Sequence, residues 1–193
     1  MAPLRIVGLA LGAFALLLIT ILAIGFLLPS DWSAQRDAWI NAPPEEVFPY
    51  LHRAEAWQLW TPSPEAGVEL FGPDAGVGSG RRWDDPGYGR GEFVILETTP
   101  NERVAYRVEV EGGSIIIQGW LELASEGTGT RVEWYESGDF GWNPLLGYLA
   151  GRMGDLQGGQ LDASLSFLRA LVEEGEALGT MEGSIDPIED ETP

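Results

Sequence analysis

The chain has 193 residues, 45% hydrophobic and 10% aromatic, enough for one domain with a sizeable core but not for two. Asp and Glu number 30 against 11 basic residues, all of them Arg, and a net charge of -19 repels phosphate backbones and anionic headgroups, which argues against nucleic acid as a partner. With no Cys and a single histidine, His52, the chain lacks disulfides, thiolate ligands and the usual zinc constellations, so no metal and no cofactor is expected.

Residues 1–5 carry Arg5, and from Ile6 to Leu28 no side chain is charged. A helix of that length runs roughly 34 Å at about 1.5 Å per residue, enough to cross a hydrocarbon core of about 30 Å. The competing reading is a cleaved signal peptide, whose apolar region runs about 7–15 residues. Here Ala23-Ile24-Gly25, the one triplet resembling a cleavage site, lies inside the apolar run. Residues 6–28 are therefore read as a transmembrane anchor in the cell membrane. Arg5 and the α-amino group precede the span and Asp31 follows it, which puts the N-terminus in the cytoplasm and the globular part, 31–176, on the extracytoplasmic side.

After Asp31 the chain alternates through Trp32, Ala34, Arg36, Ala38 and Ile40, the period of a first strand. Asn41-Ala-Pro-Pro-Glu-Glu-Val-Phe then opens a helix, with Pro in its first turn, acids just after, and Val47, Phe48 and Leu51 on one face. Pro49 bends or ends that helix. A short aromatic segment around Trp57 and Trp60 leads to Pro62 and Pro64. Runs punctuated by Gly and Pro at 67–71, 80–84, 91–98, 103–111, 114–123 and 130–137 then predict successive strands. Their short turns suit an antiparallel meander.

In the run 103–111, Val104, Tyr106, Val108 and Val110 share one face while Ala105, Arg107, Glu109 and Glu111 share the other, so the sheet has one covered and one wet face. The cover is expected from the segment opening at Asn143-Pro144, an N-cap followed by Pro at the first helical position. Its Leu145, Leu149, Met153, Leu156, Leu161, Leu165, Leu168 and Val172 recur at helical spacing. Gly151, Gly154, Gly158 and Gly159 interrupt it. At about 1 kcal/mol each relative to Ala, they call for a close backbone approach or for a break into two helices. Residues 177–193 are acidic, Gly-containing and poor in large apolar residues, and read as a disordered tail.

Several stretches carry a family likeness: Leu28-Pro-Ser-Asp-Trp-Ser, Ile40-Asn-Ala-Pro-Pro-Glu-Glu-Val-Phe-Pro-Tyr-Leu, Trp57-x-x-Trp60, and Gly78-Ser-Gly with Trp83. Gly127-Thr-Gly-Thr-Arg-Val-Glu-Trp134, Gly138-Asp-Phe-Gly and the helix end Leu165–Glu173 complete the set. On these the chain resembles the START-like (SRPBCC) superfamily, in its polyketide cyclase/dehydrase and lipid-transport branch, and specifically its membrane-anchored bacterial members. The resemblance implies an α+β helix-grip fold, in which an antiparallel sheet wraps around a long C-terminal helix and leaves a cavity for a lipid, a polyketide or another apolar ligand. It implies no single reaction, because the superfamily shares a cavity and not a catalytic motif.

Ligand pockets are apolar and aromatic with a few polar groups, so the candidate ligand-binding residues are Trp57, Trp60, Trp83, Tyr106, Trp120, Trp134, Trp142 and Met153. Ordinary core packing is the competing account of each. Glu136 shares a strand face with Trp134 and is the catalytic candidate, with Tyr106 or an inward Arg as alternatives for proton transfer, although a carboxylate near a strand end is more often solvated or paired with Arg. Arg81 and Arg82 are adjacent and point to opposite faces, so at most one can look into the cavity, where it would select an acidic ligand; in so acidic a chain, pairing with a surface neighbour is the default expectation. His52 is expected at the surface near a helix end. Three functions stay open: binding of a hydrophobic small molecule beside the bilayer, gated by the glycine-rich helix middle or the 71–80 loop; a cyclase or dehydratase; and a membrane-associated scaffold with a filled interior.

Overall fold

The computed structural model describes residues 2–64, 66–141 and 143–183, the side chains of 2–6, 10 and 176–183 excepted. Trp142 and residues 184–193 lie outside the described residues, so the candidate at 142 and most of the expected tail are not placed. Helix α1 (Ala2–Gly25) is the apolar N-terminal segment, and within it Val7–Gly25 is long and apolar enough to cross a membrane.

Seven strands follow: β1 (Asp31–Ile40), β2 (Val68–Phe71), β3 (Gly80–Asp85), β4 (Gly89–Thr99), β5 (Arg103–Val110), β6 (Ile115–Glu126) and β7 (Gly129–Asp139). They form one antiparallel sheet in the order β1-β7-β6-β5-β4-β3-β2, a meander closed at one edge by the first strand. Short loops force each strand to lie beside its predecessor, and only β1, separated from β2 by the 41–67 segment, is free to take the far edge.

That segment folds as helix α2 (Pro44–Val47), a tight 3-10 turn over Phe48–Tyr50 that contains Pro49, and a second such turn over Ala56–Leu59. It closes the sheet's concave face with Val47, Leu51, Trp57 and Trp60, all buried. His52 stacks on Phe48 with ring centroids 4.6 Å apart and is half-buried, so it is not the surface residue expected.

Helix α3 (Gly147–Gly183) fills the rest of the concavity with Leu161, Leu165, Leu168 and Val172. The sheet wraps around this long C-terminal helix, as in the helix-grip arrangement. Asn143 and Pro144 form a turn ahead of the helix instead of its first residues: the Asn143 carbonyl accepts from the Leu146 amide at 3.0 Å. The four glycines do not break the helix. A Cβ on Gly154 would stand 2.8 Å from the Ser33 carbonyl oxygen, and one on Gly158 would land in the Arg36 guanidinium. These two glycines let α3 lie directly on β1, and the close packing offsets their low helix propensity. The backbone of α3 also continues to Gly183, past the point where the tail was expected to begin.

Candidate functional site

Trp57 sits at the centre of an aromatic cluster. Its ring centroid lies 4.7 Å from those of Trp60, Phe93 and Tyr106 and 5.9 Å from that of Trp134. The indole N–H groups of Trp57 and Trp60 are satisfied by the backbone carbonyls of Leu51 and Tyr50, at 2.8 and 3.2 Å. Both rings are thereby fixed as apolar walls with no polar edge left open.

Between this cluster, the sheet and α3 lies a cavity of about 170 Å³. Trp57, Phe93, Tyr106 and Trp134 give its apolar walls, and Arg81, Glu136 and Gln157 give it polar groups. A larger depression of about 790 Å³ lies around Arg103, Glu122 and Arg131, but it is a charged groove on the outside of the sheet.

Tyr106, Gly119 and Glu136 occupy one row across β5, β6 and β7. Neighbouring strands are about 4.8 Å apart, so groups two strands away meet only if the middle position is bare. Gly119 is that bare position: a Cβ there would fall on the Tyr106 ring and hydroxyl. The Tyr106 hydroxyl therefore reaches across β6 and donates to Glu136 Oε1. Trp134 Nε1 donates to the Tyr106 hydroxyl at 2.7 Å, and Gln157 Nε2 on α3 donates to Glu136 Oε2 at 2.6 Å. Burial pushes the Glu136 carboxyl above its ordinary value, against the pull of its hydrogen bonds from Tyr106 and Gln157. Burial, together with the charge of Glu136, raises the Tyr106 phenol well above its own. The carboxylate expected to be solvated is thus enclosed and hydrogen-bonded on both oxygens.

Arg81 also departs from expectation. It is 6% exposed and lines the cavity, whereas Arg82 points to the outer face, where it meets Glu92 at 3.6 Å. Gly91, directly across from Trp83, clears the space that the Trp83 indole occupies.

Of the sequence candidates, Trp57, Trp83, Tyr106, Trp134 and Glu136 are brought together around the cavity, and Trp60 backs it from behind Trp57. Trp120 is on the outer face, stacked on Tyr135 at 5.5 Å with the Arg103 guanidinium 4.9 Å from its ring. Met153 packs in a separate cluster with Trp32, Phe140 and Ala150. Neither of these two lines the cavity, and no residue of the 71–80 loop does so. Phe93 and Gln157 were missed as cavity residues, and Arg81 takes the inward position open to one of the two arginines, against the default expectation. The Phe93 side chain was detectable, since β4 alternates Gly91, Phe93 and Ile95 on its buried face.

The family described as polyketide cyclase / dehydrase and lipid transport matches residues 31–173. No curated protein matches the chain. Among solved structures it is similar to protein CV1439 from Chromobacterium violaceum, at 23% identity and a TM-score of 0.51 over 73% of this chain and 96% of that one. An uncharacterized protein from Rhizobium leguminosarum gives 20% identity and a TM-score of 0.54, over 75% and 95% of the two chains. Protein jhp0584 from Helicobacter pylori gives 14% identity and a TM-score of 0.56, over 75% and 89%. At these identities the likeness is one of fold.

Proposed function

The chain belongs to the polyketide cyclase/dehydrase and lipid transport family, and from that premise we propose that it binds an apolar small molecule in the cavity between sheet and α3 while α1 holds it in a membrane. The observation that carries this reading is the cavity itself, walled by Trp57, Phe93, Tyr106 and Trp134 and supplied with a few convergent polar groups. Its size narrows the ligand. A volume of about 170 Å³ compares with the roughly 150 Å³ that encloses a benzene molecule. One ring or a short chain is enclosed, and a longer acyl chain has to extend beyond the walls. With Arg5 ahead of the span, the domain faces the extracytoplasmic side.

The Tyr106–Glu136 pair favours a second reading. A phenol and a carboxyl, both raised by burial and joined at one cavity wall, are suited to moving a proton on a bound substrate, as a cyclase or dehydratase requires.

One experiment addresses both. The full-length protein, purified from its native membrane, is analysed by native mass spectrometry, and any bound molecule is extracted and identified. A stoichiometric apolar molecule is expected. Recovering the same molecule from wild type and Glu136→Gln supports binding alone, whereas a product in wild type and its precursor in the variant supports the enzyme. Finding nothing bound in either protein would move the assignment to a scaffold with an idle cavity.

A further inference from the structure

Among the described residues, the cavity holds a cation with no counter-charge. Arg36, Arg82, Arg90, Arg103, Arg107 and Arg131 each pair with a carboxylate. Arg81, the buried one, has no such ion pair among the described residues, in a chain where acids outnumber bases by 30 to 11. Its guanidinium donates only to neutral hydroxyls, Ser63 Oγ at 2.9 Å and Thr61 Oγ1 at 3.4 Å. Its Nε is buried without a partner. Two aromatic faces, Trp83 at 5.9 Å and Phe93 at 5.5 Å, flank the charge but cannot neutralise it. Trp83, two residues along the same strand face and part of the cavity wall, likewise has a buried indole N–H with no partner.

The one buried carboxylate nearby does not fill this role. Glu136 spends its two oxygens on Tyr106 and Gln157. Desolvation lowers the Arg81 pKa to about 10, which still leaves the group charged at neutral pH. A buried charge is normally paired, and a guanidinium offers five N–H donors in a planar fork that matches a carboxylate.

Resting on the proposed cavity function, we propose that the ligand is an amphipathic anion: a carboxylate seated on Arg81, borne by a ring-sized apolar body that packs against the wall formed by Trp57, Phe93 and Tyr106. Unmatched donors on β3 supply the polar end, and the aromatic cluster supplies the apolar one. Selection then comes from charge as much as from shape, because a neutral ligand of the same size leaves the guanidinium unpaired.

Benzoate and its neutral isostere benzamide are suitable probes, titrated against the full-length protein in nanodiscs and followed by ligand-observed NMR. Benzoate is expected to bind about tenfold or more tightly than benzamide, and the preference is expected to vanish in Arg81→Gln while benzamide binding persists. Equal affinity of the wild type for both probes would overturn the anion inference and leave the cavity reading standing. Failure to bind either would overturn both. The comparison within the wild type does not depend on the variant's folding, and Arg81→Lys, which keeps the charge but loses the fork, is expected to retain part of the preference.

Discussion

At the scale of single residues, Glu136 links the architecture of the cavity to pH. Its carboxyl is raised in the folded protein by burial, from an ordinary value of 4.5. Between that value and the raised one the folded state binds more protons than the unfolded state, so stability falls as pH rises through this window. Below the ordinary value the group is protonated in both states and contributes no slope. In Glu136→Gln the side chain stays neutral at every pH while its carbonyl oxygen still accepts from Tyr106. Denaturant midpoints of the full-length protein in detergent, measured across the acid-to-neutral range, are expected to show the variant gaining on wild type as pH rises. Parallel profiles would mean that Glu136 titrates as a solvated carboxyl does, and that the Tyr106 contact does not enclose it. Comparing the two proteins cancels the opposite slope contributed by Asp139, whose carboxyl is lowered by hydrogen bonds from Ser30 and Gly141.

At the scale of elements, the glycines of α3 make opposite predictions. At Gly159 and Gly151 an added methyl group would meet no neighbouring element within 4 Å, so alanine at either keeps its helix-propensity gain of up to about 1 kcal/mol. Gly154 faces the Ser33 carbonyl, a backbone atom that cannot swing aside, and alanine there is expected to cost about 1–3 kcal/mol by forcing α3 off β1. Thermal unfolding should therefore rank Gly159→Ala above wild type and Gly154→Ala below it; a gain in both would mean that α3 does not rest on β1. This contrast also marks where sequence reasoning stopped. The helical spacing of Leu161, Leu165, Leu168 and Val172 and the alternation in β5 were legible, because they repeat within one element. Whether the glycines break the helix depends on a strand more than a hundred residues away. Register between strands is equally nonlocal, so the row joining Tyr106, Gly119 and Glu136 could not be read, although the shared face of Trp134 and Glu136 could. Trp120 sits in a strand with Ile115, Ile116, Ile117, Leu121 and Leu123, apolar on both faces, where alternation gives no phase. Arg81 and Arg82 fail for the same reason: adjacency shows that they diverge, not which one turns inward.

At the scale of the whole molecule, α1 and the domain touch, and if α1 spans a membrane as proposed, that contact would set which end of the cavity meets the bilayer. The Tyr148 hydroxyl donates to the Ile21 carbonyl at 2.7 Å, and a Cβ on Gly147 would stand 3.0 Å from the Gly25 carbonyl oxygen. With Val7–Gly25 across a bilayer, Ile21 lies about one turn from the end of the span, which carries Tyr148 to the headgroup level favoured by tyrosine. Leu145 and Leu149, both exposed, would enter the same layer. The row of strand partners that begins at Asp31, just after the anchor, runs through Asp139, Ile116 and Glu109. The half-buried cavity residues Val108, Val110 and Ile117 lie beside that row, whereas the fully buried wall at Trp134 is farther from it. On the proposed function, a ligand leaving past Val110 and Ile117 would emerge toward the interfacial layer, where an amphipathic molecule would reside. The absence of native Cys allows a direct check. A polarity-sensitive fluorophore on Leu145→Cys in nanodiscs is expected to emit to the blue and to be quenched by spin-labelled lipid. The same probe on Glu102→Cys, in the β4–β5 turn at the opposite end of the sheet, should stay aqueous and unquenched. Equal behaviour at the two positions would detach the domain from the bilayer surface and leave α1 as a tether with no say in how the cavity is presented.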